Sequence, residues 1–172
     1  MVEIGEGQVW TSGEGYDRYV GRWSRIVARD FLQWLGVPPG ASWLDVGCGT
    51  GALTETILAS ADPAALQGID PSEAFVDYAR RAISDPRASF GVGSAESLPF
   101  ENGRFGAVAS GLVLNFMPDH AAALGEMRRV SAQGGVVGAY VWDYAGKMEM
   151  MRYFWDAAAE LHWLAESADE GA

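Results

Sequence analysis

A single cysteine, Cys48, is all the chain has, and a lone thiol excludes both an intramolecular disulfide framework and a thiolate-rich zinc site. Basic residues are scarce. Twelve Lys and Arg against 23 Asp and Glu leave a net charge of −11, with a pI near 4.5. A binder of phosphate backbones would meet repulsion where it needs counterion release, so nucleic acid is not an expected partner. No run approaches the ~18 apolar residues of a membrane-spanning helix. Met1-Val2-Glu3-Ile4-Gly5-Glu6 has neither the basic segment nor the apolar core of a signal peptide. These absences lead us to expect a cytoplasmic domain with no membrane partner. Repeats and low-complexity tracts are missing as well. What remains is a chain of 172 residues, 49% hydrophobic, long enough for one domain with a sizeable core.

The stretch Leu44-Asp45-Val46-Gly47-Cys48-Gly49-Thr50-Gly51 carries the strongest signal. Trp43, Leu44 and Val46 make a short apolar run that ends in glycines. Ala52 to Leu58 then reads as a helix with Leu53 and Ile57 on one face. Strand, glycine turn and helix open a nucleotide-binding βαβ unit. Glycines let the backbone approach a ligand closely, and the helix start points unpaired N–H groups into the same space.

Spacing narrows the ligand. A dinucleotide fingerprint is Gly-x-Gly-x-x-Gly, whereas Gly47, Gly49 and Gly51 alternate. Asp45 sits badly beside a pyrophosphate and suits a cationic amino group. Asp70 closes the next apolar run, Ala65 to Ile69, roughly 20 residues on, where an acceptor for ribose hydroxyls is expected. A ligand with both a ribose and an amino acid is S-adenosylmethionine.

Along the chain, residues 1–15 read as a flexible leader. A helix is expected from Tyr16 to the Gly36–Gly40 connector, with Tyr16, Val20, Trp23, Val27, Phe31 and Trp34 near helical period on one side. Arg18, Arg22, Arg25 and Arg29 form a basic stripe, either a solvated face or a source of one contact, Arg22, to a ligand carboxylate. Leu66 to Asp70 reads as the second strand. A helix follows from Pro71-Ser72-Glu73, with proline in its first turn and Ala74, Val76, Tyr78, Ala79 and Ile83 as apolar surface. Ala88 to Gly93 and Phe105 to Val113 are the third and fourth strands. Asp119 caps a helix with Leu124, Met127 and Val130 as its apolar face, stopped by Gly134-Gly135. Val136 to Trp142 is a nearly apolar fifth strand, and a last helix spans Met148 to Leu164. This alternation predicts an α/β fold with a doubly wound, mostly parallel sheet.

The ordered motifs carry a family resemblance over about residues 16 to 155. Leu44 to Gly51 resembles the first motif of class I S-adenosylmethionine-dependent methyltransferases, and Gly68-Ile69-Asp70-Pro71-Ser72 is similar to their second-strand motif. Ser94 to Phe100, Leu112 to Asp119 and Glu126 to Val130 resemble landmarks of the type 11 group, which acts on small molecules. The resemblance implies a Rossmann-like methyltransferase domain over residues 16–165, with an acidic tail at 166–172. It also implies cofactor contacts. Asp45, Gly47, Cys48 and Gly49 would lie at the methionine portion, and Asp70 and Pro71 at the ribose. Ser94, Ala95 and Glu96 would lie at the adenine and Leu112 would also contact the cofactor, while Tyr16 and Arg22 would cover it and approach its carboxylate. The family usually has Asp where Ser94 stands, and Asp where Gly106 follows Phe105.

Members of that group resemble seven-stranded sheets, so a chain ending after the fifth strand and one helix reads as truncated. The last helix, apolar on more than one side, suggests a homodimer as the alternative. No catalytic base declares itself. His120 and His162 read as surface or structural residues, and Cys48 as a packed small side chain. Trp142, Asp143 and Tyr144 are the candidates for acceptor contact. The expected function is methyl transfer to a small-molecule acceptor. An inactive S-adenosylmethionine-binding protein is the alternative, and a nicotinamide-dinucleotide dehydrogenase domain is disfavoured by the glycine spacing.

Overall fold

The computed structural model describes residues 22–144 and 148–161. The chain divides into two compact units, Met1–Tyr140 and Val141–Ala172. The first contains α1 (Arg22–Leu35), β1 (Ser42–Val46), α2 (Ala52–Ser60), β2 (Ala65–Asp70), α3 (Glu73–Ala82), β3 (Ala88–Val92) and β4 (Phe105–Gly111). A short 3-10 turn (Leu114–Phe116), α4 (His120–Val130) and β5 (Ser131–Tyr140) complete it. The second unit contains α5 (Glu149–Leu161).

The five strands form one sheet in the order β3-β2-β1-β4-β5, with every pairing parallel. Parallel neighbours need crossover connections, which the helices supply, and those helices bury both faces of the sheet. Along β1, Trp43 faces a cluster with Ala28, Phe31 and Leu32 of α1 and Leu53 and Ile57 of α2. Leu44 and Val46 face the opposite cluster with Ala123, Met127 and Val130 of α4. Each fully buried side chain of this size contributes roughly 1.5–3 kcal/mol. The strand order reverses at β1, between β2 and β4, and α/β sheets of this kind bind ligands at the carboxyl ends of the strands there.

Several expected faces shift. In α1 the buried residues are Ser24, Ala28, Phe31 and Leu32, while Val27 and Trp34 are exposed, Trp34 at 76%. The buried face runs through Ala28, Phe31 and Leu32, which join the cluster around Trp43. Gly138 of β5 leaves room there for Phe31 and Leu35, and Phe31 meets the Tyr140 ring at 4.7 Å. In α4 the inward residue is Ala123 and Leu124 is exposed. In α3 the cap is Ser72, whose hydroxyl accepts the Phe75 N–H, so Pro71 lies just outside the helix. Asp119 caps α4 as expected, accepting the Ala122 N–H at 2.9 Å.

Two boundaries also move. The helix read as running to Gly134 ends at Val130, and β5 begins at once with Ser131 opposite Phe105. Gly134 and Gly135 sit in an irregular bulge between the Phe105 and Ala107 pairings, with Gly134 at φ 77°. There, glycine marks a kink in a strand rather than a helix stop. Strand β4 ends at Gly111, because Leu112 adopts φ 60° while donating its N–H to Tyr140 O at 2.8 Å. In the second unit the described part of α5 runs over Glu149–Leu161, the expected stretch to Leu164 lying outside the described residues, and Tyr153 and Phe154 are exposed. Among the described residues no helix is long and apolar enough to cross a membrane.

Candidate functional site

The turn between β1 and α2 is built almost entirely from backbone. Gly47, Gly49 and Gly51 all have positive φ, at 73°, 52° and 95°, a conformation that side-chain-bearing residues adopt only with strain. Gly47 N–H and Cys48 N–H both donate to Ile69 O, at 2.8 and 3.0 Å, tying the turn to the end of β2. A Cβ on Gly47 would lie 2.4 Å from Val113 Cγ1, whereas one on Gly49 would meet nothing within 4 Å. The turn is therefore closed on its β4 side and open at Gly49. Helix α2 starts from Gly51 without a side-chain cap, so its opening turn presents backbone N–H groups beside this space, that of Thr54 favouring the Asp45 carboxylate.

Two carboxyl groups flank the turn. Asp45 is 1% exposed, and Thr54 Oγ1 donates to its Oδ2 at 2.7 Å. Its Oδ1 is buried and has no partner among the described residues. Burial raises its pKa from 3.8 to about 7, and the neighbouring Asp70 charge pushes the same way, while the Thr54 hydroxyl pulls it down. Asp70, 5% exposed, accepts Gly49 N–H on Oδ2 and Ser72 N–H on Oδ1, both at 2.9 Å. Its pKa is raised by burial against those two backbone donors. Each oxygen retains a lone pair for a further donor. Cys48 is buried, and desolvation together with the Asp45 and Asp70 charges pushes its thiol well above the usual range. It stays a neutral packing group, not a nucleophile.

Beyond β3, Ser94 donates its hydroxyl to Glu96 and accepts the Glu96 N–H at 3.2 Å. The Ser94 hydroxyl lowers the Glu96 pKa, and Glu96 Oε1 is buried without a partner among the described residues. Ala95 is buried beside them. The loop that follows is held by Arg129, which donates to Leu98 O, Phe100 O and Asn102 Oδ1 and pairs with both oxygens of Glu126. Glu126 in turn accepts Leu98 N–H at 2.8 Å.

The structure thus brings Asp45, Gly47, Cys48, Gly49 and Asp70 together around one turn. Pro71 is exposed immediately after Asp70, and Leu112 is buried beyond β4. Tyr16 lies outside the described residues. Arg22 begins α1, but its side chain lies outside them too. In the second unit Trp142 and Tyr144 stack with centroids 6.4 Å apart. Reading the sequence did not single out Thr54 or Val113. The only available signal was their spacing, since Thr54 stands at the third position of a helix whose start was already legible. No cluster of three potential metal ligands occurs among the described residues.

Comparison with known proteins meets this geometry. A family model described as a methyltransferase domain, of type 11, matches residues 44–138, more than half of the chain and the whole span from the glycine turn to β5. The chain belongs to this methyltransferase family. The cofactor of the family is S-adenosylmethionine. Over 117 residues the methyltransferase domain is 36% identical to demethylmenaquinone methyltransferase of Staphylococcus aureus, covering 67% of this chain and 47% of that one. It is 37% identical over 116 residues to a 37.1 kDa protein of transposon Tn4556 from Streptomyces fradiae, covering 65% of this chain and 34% of the other. The chain thus spans about a third to a half the length of these curated relatives. An S-adenosylmethionine-dependent methyltransferase from Aquifex aeolicus shares the fold, with a TM-score of 0.67 at 15% identity, covering 81% of this chain and 77% of that one.

Proposed function

We propose that this methyltransferase domain transfers a methyl group from S-adenosylmethionine to a small-molecule acceptor, with the cofactor held at the carboxyl ends of β1, β2 and β3. The observation that carries this reading is Asp45 Oδ1, a buried acceptor without a donor at the foot of an open glycine turn. Such an atom costs about 1–3 kcal/mol if left unsatisfied, and a cationic amino group would satisfy it. Asp70 has lone pairs left for ribose hydroxyls. Ala95 and Glu96, with Ser94 orienting the Glu96 carboxylate, would border the adenine, and Leu112 would pack against it. Tyr16 and Arg22 are proposed to cover the bound molecule.

When bound, the cofactor supplies a methyl group already activated on a sulfonium, so the protein's work is alignment and exclusion of water. Asp45 and Asp70 would fix the two ends of the ligand. Val113, pressed on Gly47, and the buried Cys48 would keep the wall of the turn dry. A general base is needed only if the acceptor arrives protonated. We assign none: His120 is exposed at the start of α4.

The demethylmenaquinone methyltransferase relative and the acidic charge balance favour a small molecule over nucleic acid. We further infer a cytoplasmic protein, with residues 16–165 as the methyltransferase domain and a homodimer contact on α5. Titration calorimetry with S-adenosylmethionine, S-adenosylhomocysteine and NAD tests the cofactor assignment, with binding of the first two and not the third expected. Methyl-transfer assays over a panel of quinones, phenols and amines then test the acceptor class.

A further inference from the structure

We propose that Thr54 is a positioning residue for the amino group of the ligand, acting through Asp45. This rests on the reading that the glycine turn holds S-adenosylmethionine. A threonine hydroxyl inside a helix ordinarily bonds back to the carbonyl four residues earlier, and Thr56 does so, donating to Ala52 O at 2.8 Å. Thr54, two residues before it, behaves differently. It is 0% exposed and donates instead across to β1, to Asp45 Oδ2 at 2.7 Å.

A hydroxyl has one proton to give. With that proton on Oδ2, the carboxylate cannot rotate without losing its bond, and Oδ1 is the oxygen left unpartnered. The bond therefore selects which oxygen meets an incoming ammonium group. It also favours the ionised carboxylate, the form that attracts an ammonium donor most strongly. The groups facing Asp45 divide accordingly. Asp70 on β2 opposes ionisation by like charge, the neutral Cys48 thiol in the turn adds no charge, and Thr54 and the N–H groups opening α2 favour it.

The test uses two ligands that share adenosine and a thioether. S-adenosylhomocysteine carries the amino acid, and 5′-methylthioadenosine does not. Calorimetry on the full chain should show that Thr54→Val raises the Kd of S-adenosylhomocysteine by about tenfold or more, the factor expected for a hydrogen bond to a charged group. The Kd of 5′-methylthioadenosine should not change, and Thr54→Ser should restore the wild-type ratio. The pH below which S-adenosylhomocysteine affinity falls should move upward in Thr54→Val, because the carboxyl has lost its side-chain donor. Equal weakening of both ligands, or of neither, would overturn the proposal. If Thr54→Val does not fold, Thr54→Ala decides by the same two-ligand ratio, and equal changes for both ligands, or none, overturn the assignment. Wild-type protein that binds neither ligand would refute the cofactor site itself, a distinct result.

Discussion

The Asp70 carboxylate accepts the backbone N–H of Gly49 at 2.9 Å, so the last residue of β2 holds the turn that ends β1. Its second oxygen accepts Ser72 N–H, which places the start of α3 under the same control. One side chain therefore shapes both loops at the point where the strand order reverses. That arrangement makes Asp70 a structural brace as well as a proposed ribose ligand.

Asp70→Ala should cost on both counts. Two backbone donors lose their acceptor, and we expect about 1–3 kcal/mol of lost cofactor affinity together with a measurable fall in stability without cofactor. Calorimetry and urea titration read the two effects separately. Unchanged affinity would refute the ribose assignment.

Stability should fall as pH rises. Asp45 keeps its proton to about pH 7 when folded and has a reference value of 3.8, so between those values the folded state binds more protons than the unfolded one. The linkage slope is then negative, and complete titration would remove up to about 4 kcal/mol. Asp70 shifts in the same direction. Urea unfolding at pH 5 and pH 8 should show the loss, and Asp45→Asn should flatten it while weakening cofactor binding.

Gly47→Ala should be disabling. The new Cβ would fall 2.4 Å from Val113 Cγ1, on a backbone at φ 73°. Strain of this kind costs about 1–3 kcal/mol. Adding Val113→Ala should recover the steric part only, because the backbone conformation remains unsuited to alanine. Thermal unfolding of the single and double variants measures both parts.

Arg129→Gln should loosen the segment from Leu98 to Asn102. The guanidinium holds two carbonyls and one side-chain oxygen of that segment, with Glu126 orienting it. Faster amide exchange and protease cleavage between residues 94 and 104 are expected, with β1 and β2 protected as before. Unchanged exchange there would show that the loop holds itself.

Some of this was legible because it is local. Glycines at alternating positions after an apolar run announce positive φ and a turn, whatever surrounds them. Asp119 announces a cap because it bonds within its own helix. The buried face of α1 is not legible for the opposite reason. Trp34 and Val27 keep helical period with Phe31, but the buried side is the one that packs Ala28, Phe31 and Leu32 around Trp43 and over the bare backbone of Gly138, and periodicity alone does not weigh a small residue above a large one. Gly134-Gly135 was likewise ambiguous. A glycine pair stops a helix or kinks a strand, and the pairing of Ser131 with Phe105 selects the second.

The sequence by itself determined the strand–turn–helix opening, the two acidic residues beside it and the parallel α/β class, since each follows from short-range backbone chemistry and pattern. Only the tertiary structure decided that Asp45 turns one oxygen to Thr54 and leaves the other unpartnered, and that Asp70 reaches the glycine turn. Those contacts join β1 to α2 and β2 to the turn through space, and no spacing along the chain specifies where an oxygen points once the core has closed around it.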